Sequence, residues 1–217
     1  MTDFVAARKA MVDCQVRPSD VTSYPIIAAM LAVPREEFVP RGARETAYLG
    51  EHITLAPGRA LLDARSFGKM LEALNIQPSE MVLDIGCGYG YSTAVLAHIA
   101  EFVVGVEADE TMAAEAETNL AAQSIDNAVI VGGALAEGAP AHAPYDVIVL
   151  QGAFETMPPA LLDQLKPGGR IAAIRAEGAY GTCQLGLKTS AGVSWRRAFD
   201  AAAPVLPGFA AVPAFVF

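Results

Sequence analysis

Apolar and polar positions change period several times along the chain, and each change predicts an element. Residues 4–12 have amphipathic helical spacing, a second helix around 26–31 stops before Pro34, and a short helical turn is expected over 35–38. After the break at Pro57 and Gly58, the residues Phe67, Met70, Leu71 and Leu74 recur at i, i+3, i+4 and i+7, which predicts a helix ending near Asn75. From there, short continuous apolar runs alternate with helical spacing. Runs of that kind are buried on both faces of a parallel sheet. Strands are expected near 81–85, 102–106, 128–131, 146–150 and 170–174, with helices near 91–99, 110–122 and 158–165. The turn Lys166-Pro167-Gly168-Gly169 is expected to end the last helix and launch the fifth strand. The remainder reads as antiparallel strands GTCQLGLKT, SWRRAFDAA and AVPAFVF, with turns at Ala191-Gly192 and Pro207-Gly208. One doubly wound α/β domain over 1–217 accommodates this order: an N-terminal helical extension and loop (1–75), a core (76–180) and C-terminal antiparallel strands (181–217).

Candidate chemistry concentrates in MVLDIGCGYGYSTAVLA followed by FVVGVE. The first apolar run is followed by Gly86, Gly88 and Gly90 at alternate positions, and helical spacing resumes from Tyr91 with Val95, Leu96 and Ile99 on one face. The turn's amides are thereby expected at a helix N-terminus, a place for polar or anionic groups. The next strand ends at Glu107, 21 residues after Gly86, where a carboxylate can accept both ribose hydroxyls of an adenosine. Three spaced glycines also make a plain tight connection. Two details favour a ligand: Asp84-x-Gly86-x-Gly88-x-Gly90 puts an acid ahead of the turn, and no G-x-x-x-x-G-K-[ST] occurs in the chain. That is the pattern of S-adenosyl-L-methionine binders, whose ligand carries an ammonium and a sulfonium instead of a phosphate. Asp84 is placed to attract that positive end, directly or through water.

Charge distribution points the same way. No Lys or Arg lies between Lys69 and Lys166, while residues 70–165 hold 14 Asp and Glu, a stretch that would repel a phosphate backbone and so excludes nucleic acid as the expected partner. No apolar run reaches the roughly 18 residues of a membrane span. Cys14, Cys87 and Cys183 lack metal-ligand spacing, and the N-terminus has no apolar signal core, so a cytoplasmic setting is expected. Cys87 reads as a small buried residue of the turn. His52, His98 and His142 read as surface or packing residues, and no metal cluster is expected.

Beyond the glycine turn, AMLAVPREEFVP at 29–40, AYLGEHITLAPG at 47–58, VLDIGCGYGYSTAVLA at 82–97, YDVIVLQGAFETMP at 145–158 and LLDQLKPGGR at 161–170 together resemble the protein-L-isoaspartate O-methyltransferases. The resemblance implies a class I, Rossmann-like seven-stranded sheet in strand order 3-2-1-4-5-7-6, with S-adenosyl-L-methionine as methyl donor and S-adenosyl-L-homocysteine as product. It implies isoaspartyl residues of damaged proteins as acceptors: their methyl ester collapses to a succinimide that reopens partly as aspartate. Asp84, Gly86, Gly88, Gly90, Glu107, Ala108, Ala134, Leu135 and Gln151 would then meet the cofactor, and Leu61, Ala153 and Phe154 the substrate.

Two departures from the family pattern fall where function lives. Where members carry G-Q-T-I-S, this chain has Gly58-Arg59-Ala60-Leu61-Leu62, so Leu62 stands at the serine position beside the acceptor carboxylate. A hydrogen bond to a charged group contributes roughly 1.5 to 3 kcal/mol, and Arg59, Arg65 or Ser66 is a candidate replacement donor. Where members carry Gly-Asp-Gly, the chain has Gly132-Gly133-Ala134, which removes the acid that accepts the adenine amino group. Two alternatives to isoaspartyl methylation stay open: transfer to another, small-molecule acceptor, and a catalytically silent cofactor-binding fold.

Overall fold

The computed structural model describes residues 2–178 and 180–211. Its N-terminal layer begins with α1 (Phe4–Met11), capped by Asp3, whose carboxylate accepts the Ala6 amide at 3.0 Å. That helix continues through a π-helical turn, Val12–Val16, and a 3-10 turn, Arg17–Ser19. Helix α2 (Tyr24–Ala32) ends at Val33, ahead of Pro34, and the expected short turn is the 3-10 segment Arg35–Glu37. After a further 3-10 segment, Arg41–Thr46, comes an element that sequence reading did not foresee, a separate two-stranded hairpin of β1 (Ile53–Ala56) and β2 (Arg59–Leu61). Helix α3 (Ala64–Leu74) follows, capped by Asp63 and terminated by Asn75 in the left-handed region at φ 48°.

The main sheet is built from β3 (Met81–Ile85), β4 (Phe102–Glu107), β5 (Ala128–Gly132), β6 (Tyr145–Phe154), β7 (Leu165–Glu177), β8 (Tyr180–Thr189) and β9 (Gly192–Asp200). Helices α4 (Tyr91–Ala97), α5 (Glu110–Ala122) and α6 (Pro159–Asp163) connect the parallel strands. Alternation along each strand makes two cores. Val82, Val103, Val147 and Ala172 join the N-terminal layer and α3, while Leu83, Val104, Ile148 and Ile171 join the opposite face. Because both sets are apolar, the strands read as unbroken hydrophobic runs.

The strands lie in the order β5-β4-β3-β6-β7-β8-β9. Counted within the sheet this is 3-2-1-4-5-6-7, which corrects the order expected for the last two strands. The reason is local: a two-residue connection, Ser190-Ala191, folds β9 back on β8, with Thr189 paired to Gly192, so sequence neighbours become sheet neighbours. Two further boundaries move. The Lys166-Pro167-Gly168-Gly169 turn lies inside β7, as an irregularity between the Tyr145–Leu165 and Val147–Arg170 pairs. Strand β6 runs on to Phe154 because Ala153 pairs with the segment after β9: its amide donates to the Pro204 carbonyl at 2.8 Å and its carbonyl accepts the Leu206 amide at 2.9 Å. Apart from Ala211, the expected strand AVPAFVF lies outside the described residues.

Candidate active site

The glycine turn sits where β3 delivers the chain to α4. Gly86, Gly88 and Gly90 have φ of 80°, 58° and 93°, a region that L side chains with a Cβ enter only under strain. The turn is tied to the neighbouring strand, since the Gly86 and Cys87 amides both donate to the Val106 carbonyl, at 2.9 and 3.3 Å. Those two amides are therefore engaged by protein and do not face a ligand, contrary to the simple picture of a free helix N-terminus.

Asp84 also departs from expectation. It is fully buried and turned inward: one carboxylate oxygen accepts from the Ser92 and Thr93 hydroxyls at 2.6 and 2.7 Å, and the other from the Gln151 amide at 2.7 Å. Burial pushes its pKa up to about 6, against the opposing pull of those three donors. Asp84 thus acts on the turn from beneath, by fixing α4, and is not aimed at a cationic ligand. Period-two alternation carries the signal for this, because Asp84 shares the face of Val82, on which α4 packs. Gln151 serves Asp84 in the same way, and its own side-chain oxygen is buried without a partner.

Glu107 ends β4 fully buried, with every direction of its carboxylate taken. One oxygen accepts the amides of Ala108 and Asp109 at 2.8 and 3.1 Å, and the other accepts the Gly88 amide at 2.7 Å. Each oxygen also accepts one guanidinium nitrogen of Arg59 at 2.6 Å. Arg59 is 5% exposed. Of the three donors considered for the acceptor carboxylate, Arg59 is therefore committed to Glu107, Arg65 is exposed, and Ser66 is buried in the first turn of α3 with its amide on Asp63 at 2.8 Å.

The remaining expected positions divide between an open flank and a closed wall. Ala108 is exposed, as are Gly132, Gly133 and Ala134, and a Cβ on either glycine would meet nothing within 4 Å. Leu135 instead lies in the core. Leu61 and Leu62 are buried, Leu62 to 1% exposure, with the Leu62 carbonyl accepting Arg35 Nη2 at 2.6 Å. Ala153 is covered by residues 204–206, and Phe154 packs on Trp195 with ring centroids 5.8 Å apart. Leu61, Ala153 and Phe154, expected to meet the substrate, are all buried in this structure.

Sequence reading missed Leu55 and Leu206. A Cβ on Gly88 would come within 2.6 Å of the Leu55 side chain, and one on Gly86 within 3.2 Å of the Arg59 guanidinium and 3.4 Å of Leu206. The cradle fits an adenosine-type cofactor in its turn, its carboxylate and its open base flank. Its ribose position, however, is filled from the hairpin side.

A doubly wound sheet with this glycine turn and terminal acid defines a class I methyltransferase fold. Over 93% of this chain it superposes on 66% of a solved protein-L-isoaspartate O-methyltransferase with a TM-score of 0.81 at 23% identity. A candidate protein-L-isoaspartate O-methyltransferase from Plasmodium falciparum, in complex with S-adenosyl-L-homocysteine, matches with a TM-score of 0.78 at 18% identity, covering 95% of this chain and 99% of that one. The family model for protein-L-isoaspartate(D-aspartate) O-methyltransferase matches residues 6–180. A protein-L-isoaspartate O-methyltransferase from Methanoculleus marisnigri is 36% identical over 76% of each chain, and one from Rhodopseudomonas palustris is 38% identical over 78% of this chain and 69% of its own. The chain belongs to the protein-L-isoaspartate O-methyltransferase family. The family's enzymes use S-adenosyl-L-methionine to methylate oxygen.

Proposed function

We propose that the chain methylates the free carboxylate of isoaspartyl residues in damaged proteins, in the reducing cytoplasm, where the exposed thiol of Cys14 stays free. The observation that carries this reading is the family match across residues 6–180 together with a retained Glu107 at the end of β4 and glycines at the turn. Bound S-adenosyl-L-methionine supplies an electrophilic methyl group on sulfur. Glu107 would hold its ribose hydroxyls, and the exposed Gly132 to Ala134 flank, beside Ala108, would take the adenine.

A carboxylate acceptor is ionised near neutral pH, so the protein need not remove a proton. Its task is alignment, holding nucleophile and methyl carbon roughly 3 to 3.5 Å apart and in line. Asp84 contributes indirectly: Ser92 and Thr93 anchor α4 to it, and α4 fixes the turn. The apolar pair Leu61-Leu62 is buried in the core and brings no polar group to the acceptor.

One observation favours a second reading, a methyltransferase with a different acceptor. Leu62 brings no hydroxyl to the family's serine position and is itself packed in the core. Transfer of labelled methyl to a matched pair of isoaspartyl and aspartyl peptides separates the two. Isoaspartyl methylation predicts label in a base-labile ester on the isoaspartyl peptide alone. Cofactor binding with no transfer to either peptide would favour the second reading.

A further inference from the structure

Two donors on Arg59 meet two acceptors on Glu107, the same two oxygens that a ribose diol needs. The nitrogens lie 2.6 Å from the oxygens in a parallel, bidentate arrangement, and both side chains are buried. Guanidinium and diol cannot both occupy that carboxylate, because its remaining capacity is used by the Gly88, Ala108 and Asp109 amides.

The element that brings Arg59 there is separable from the sheet. Among the described residues, strands β1 and β2 pair with each other alone, and the chain is pinned at both ends of the hairpin. On one side the His52 ring lies 2.6 Å from the Ala202 carbonyl and accepts the Asp63 amide at 2.9 Å. On the other, Arg35 holds the carbonyls of Ala47 and Leu62 at 2.8 and 2.6 Å. Between these anchors the hairpin lays Leu55 against Gly88 and Arg59 against Gly86, while the base flank at Gly132 and Gly133 stays open. The closed arrangement is not fully satisfied, since Arg59 Nε is buried with no partner among the described residues. A buried donor of that kind costs free energy that opening recovers in water.

We infer that Arg59 is an intramolecular competitor for the ribose subsite, so that the 53–61 hairpin closes the cofactor cradle on itself and must release Glu107 before S-adenosyl-L-methionine binds. The inference rests on the reading that this cradle takes that cofactor. Apparent affinity falls in proportion to the open fraction: a cradle open about a tenth of the time binds about tenfold more weakly than one held open. Arg59 thereby becomes a determinant of cofactor affinity that the glycine turn and Glu107 alone do not reveal.

The test is calorimetric titration of S-adenosyl-L-homocysteine into the wild-type chain, Arg59→Gln and the double variant Arg59→Gln/Glu107→Gln, each first shown to unfold cooperatively. Arg59→Gln is expected to bind about tenfold or more tightly than wild type, and the added Glu107→Gln change to abolish the gain. Equal or weaker binding by Arg59→Gln, with wild type still binding, overturns the competition and leaves the cofactor assignment standing. Absence of binding by every variant at millimolar ligand overturns both. A second measurement needs no substitution. The Arg59 guanidinium of the free wild-type protein is expected to give slowly rotating, resolved nitrogen signals by nuclear magnetic resonance, which collapse on saturation with S-adenosyl-L-homocysteine. Signals unchanged at saturation contradict mutual exclusion.

Discussion

Arg35 donates through Nη2 to the carbonyl of Leu62 at 2.6 Å, so the residue at the family's serine position hangs from a fully buried cation. The same guanidinium donates through Nε to the Ala47 carbonyl at 2.8 Å and lies over the Tyr91 ring, 4.8 Å from its centroid. Burial lowers its pKa, with the neighbouring Tyr91 and Asp63 opposing. Loss of two charge-assisted hydrogen bonds outweighs relief of the desolvation, and Arg35→Leu is expected to cost about 2 kcal/mol. Urea denaturation measures that loss, and amide exchange over residues 53–62 should quicken as the hairpin's anchor goes. Protection unchanged in that segment would show that the anchor lies elsewhere.

Asp84 gives a pH dependence of definite sign. Its pKa of about 6 in the folded chain lies above the ordinary 3.8, so the fold favours the neutral acid. The associated stability is full below the ordinary value and is lost as pH rises through about 6. Roughly 2 units correspond to about 3 kcal/mol. Asp146 acts oppositely: burial pushes its carboxyl up, but Lys166 and the Met81 amide outweigh this and hold it below its usual range, so its contribution is lost as pH falls. Comparison with Asp84→Asn isolates the first effect. The stability of that variant relative to wild type is expected to rise by about 2 kcal/mol between pH 4 and 7, and a flat difference across denaturation curves in that range would refute the assignment.

At Gly90, backbone and packing combine. Its φ is 93°, and a Cβ there would lie 3.2 Å from the Ala116 Cβ and 3.4 Å from the Ala116 Cα, on the helix behind the turn. Gly90→Ala is expected to lose about 2 kcal/mol from left-handed strain and crowding together. Thermal unfolding reads this, and an unchanged midpoint would mean that the turn relaxes freely.

Phe154 and Trp195 tie the end of β6 to the C-terminal antiparallel strands. The chain has one Trp, so its fluorescence reports the surroundings of this side chain, Phe154 among them. Phe154→Ala should cost about 3 kcal/mol, as buried aromatic truncations do, and shift Trp195 emission to longer wavelength. Emission unaltered in the folded variant would place the Trp195 environment under other control.

The parallel strands were legible because each carries apolar residues to two cores, which leaves no polar alternation to confuse the pattern. The hairpin was not. Strands of four and three residues flanking Pro57-Gly58 offer no period to read, and the polar Gln151 beside Gly152 disguised the extension of β6. In the site, the spacing of Gly86 to Glu107 was readable because local geometry imposes it. The partner of Glu107 was not, since Arg59 is 48 residues away in sequence. The absence of any Lys or Arg from 70 to 165 was the available hint that a buried acid there takes its counter-charge from a distant segment.

The most direct measurement is a crystal structure of the wild-type chain grown with S-adenosyl-L-homocysteine. The expected result is a ribose on both oxygens of Glu107, adenine along Gly132 to Ala134, and the 53–61 hairpin displaced with Arg59 off the carboxylate. A nucleoside bound while Arg59 keeps its two contacts with Glu107, or bound away from this cradle, would contradict the assignment of the site.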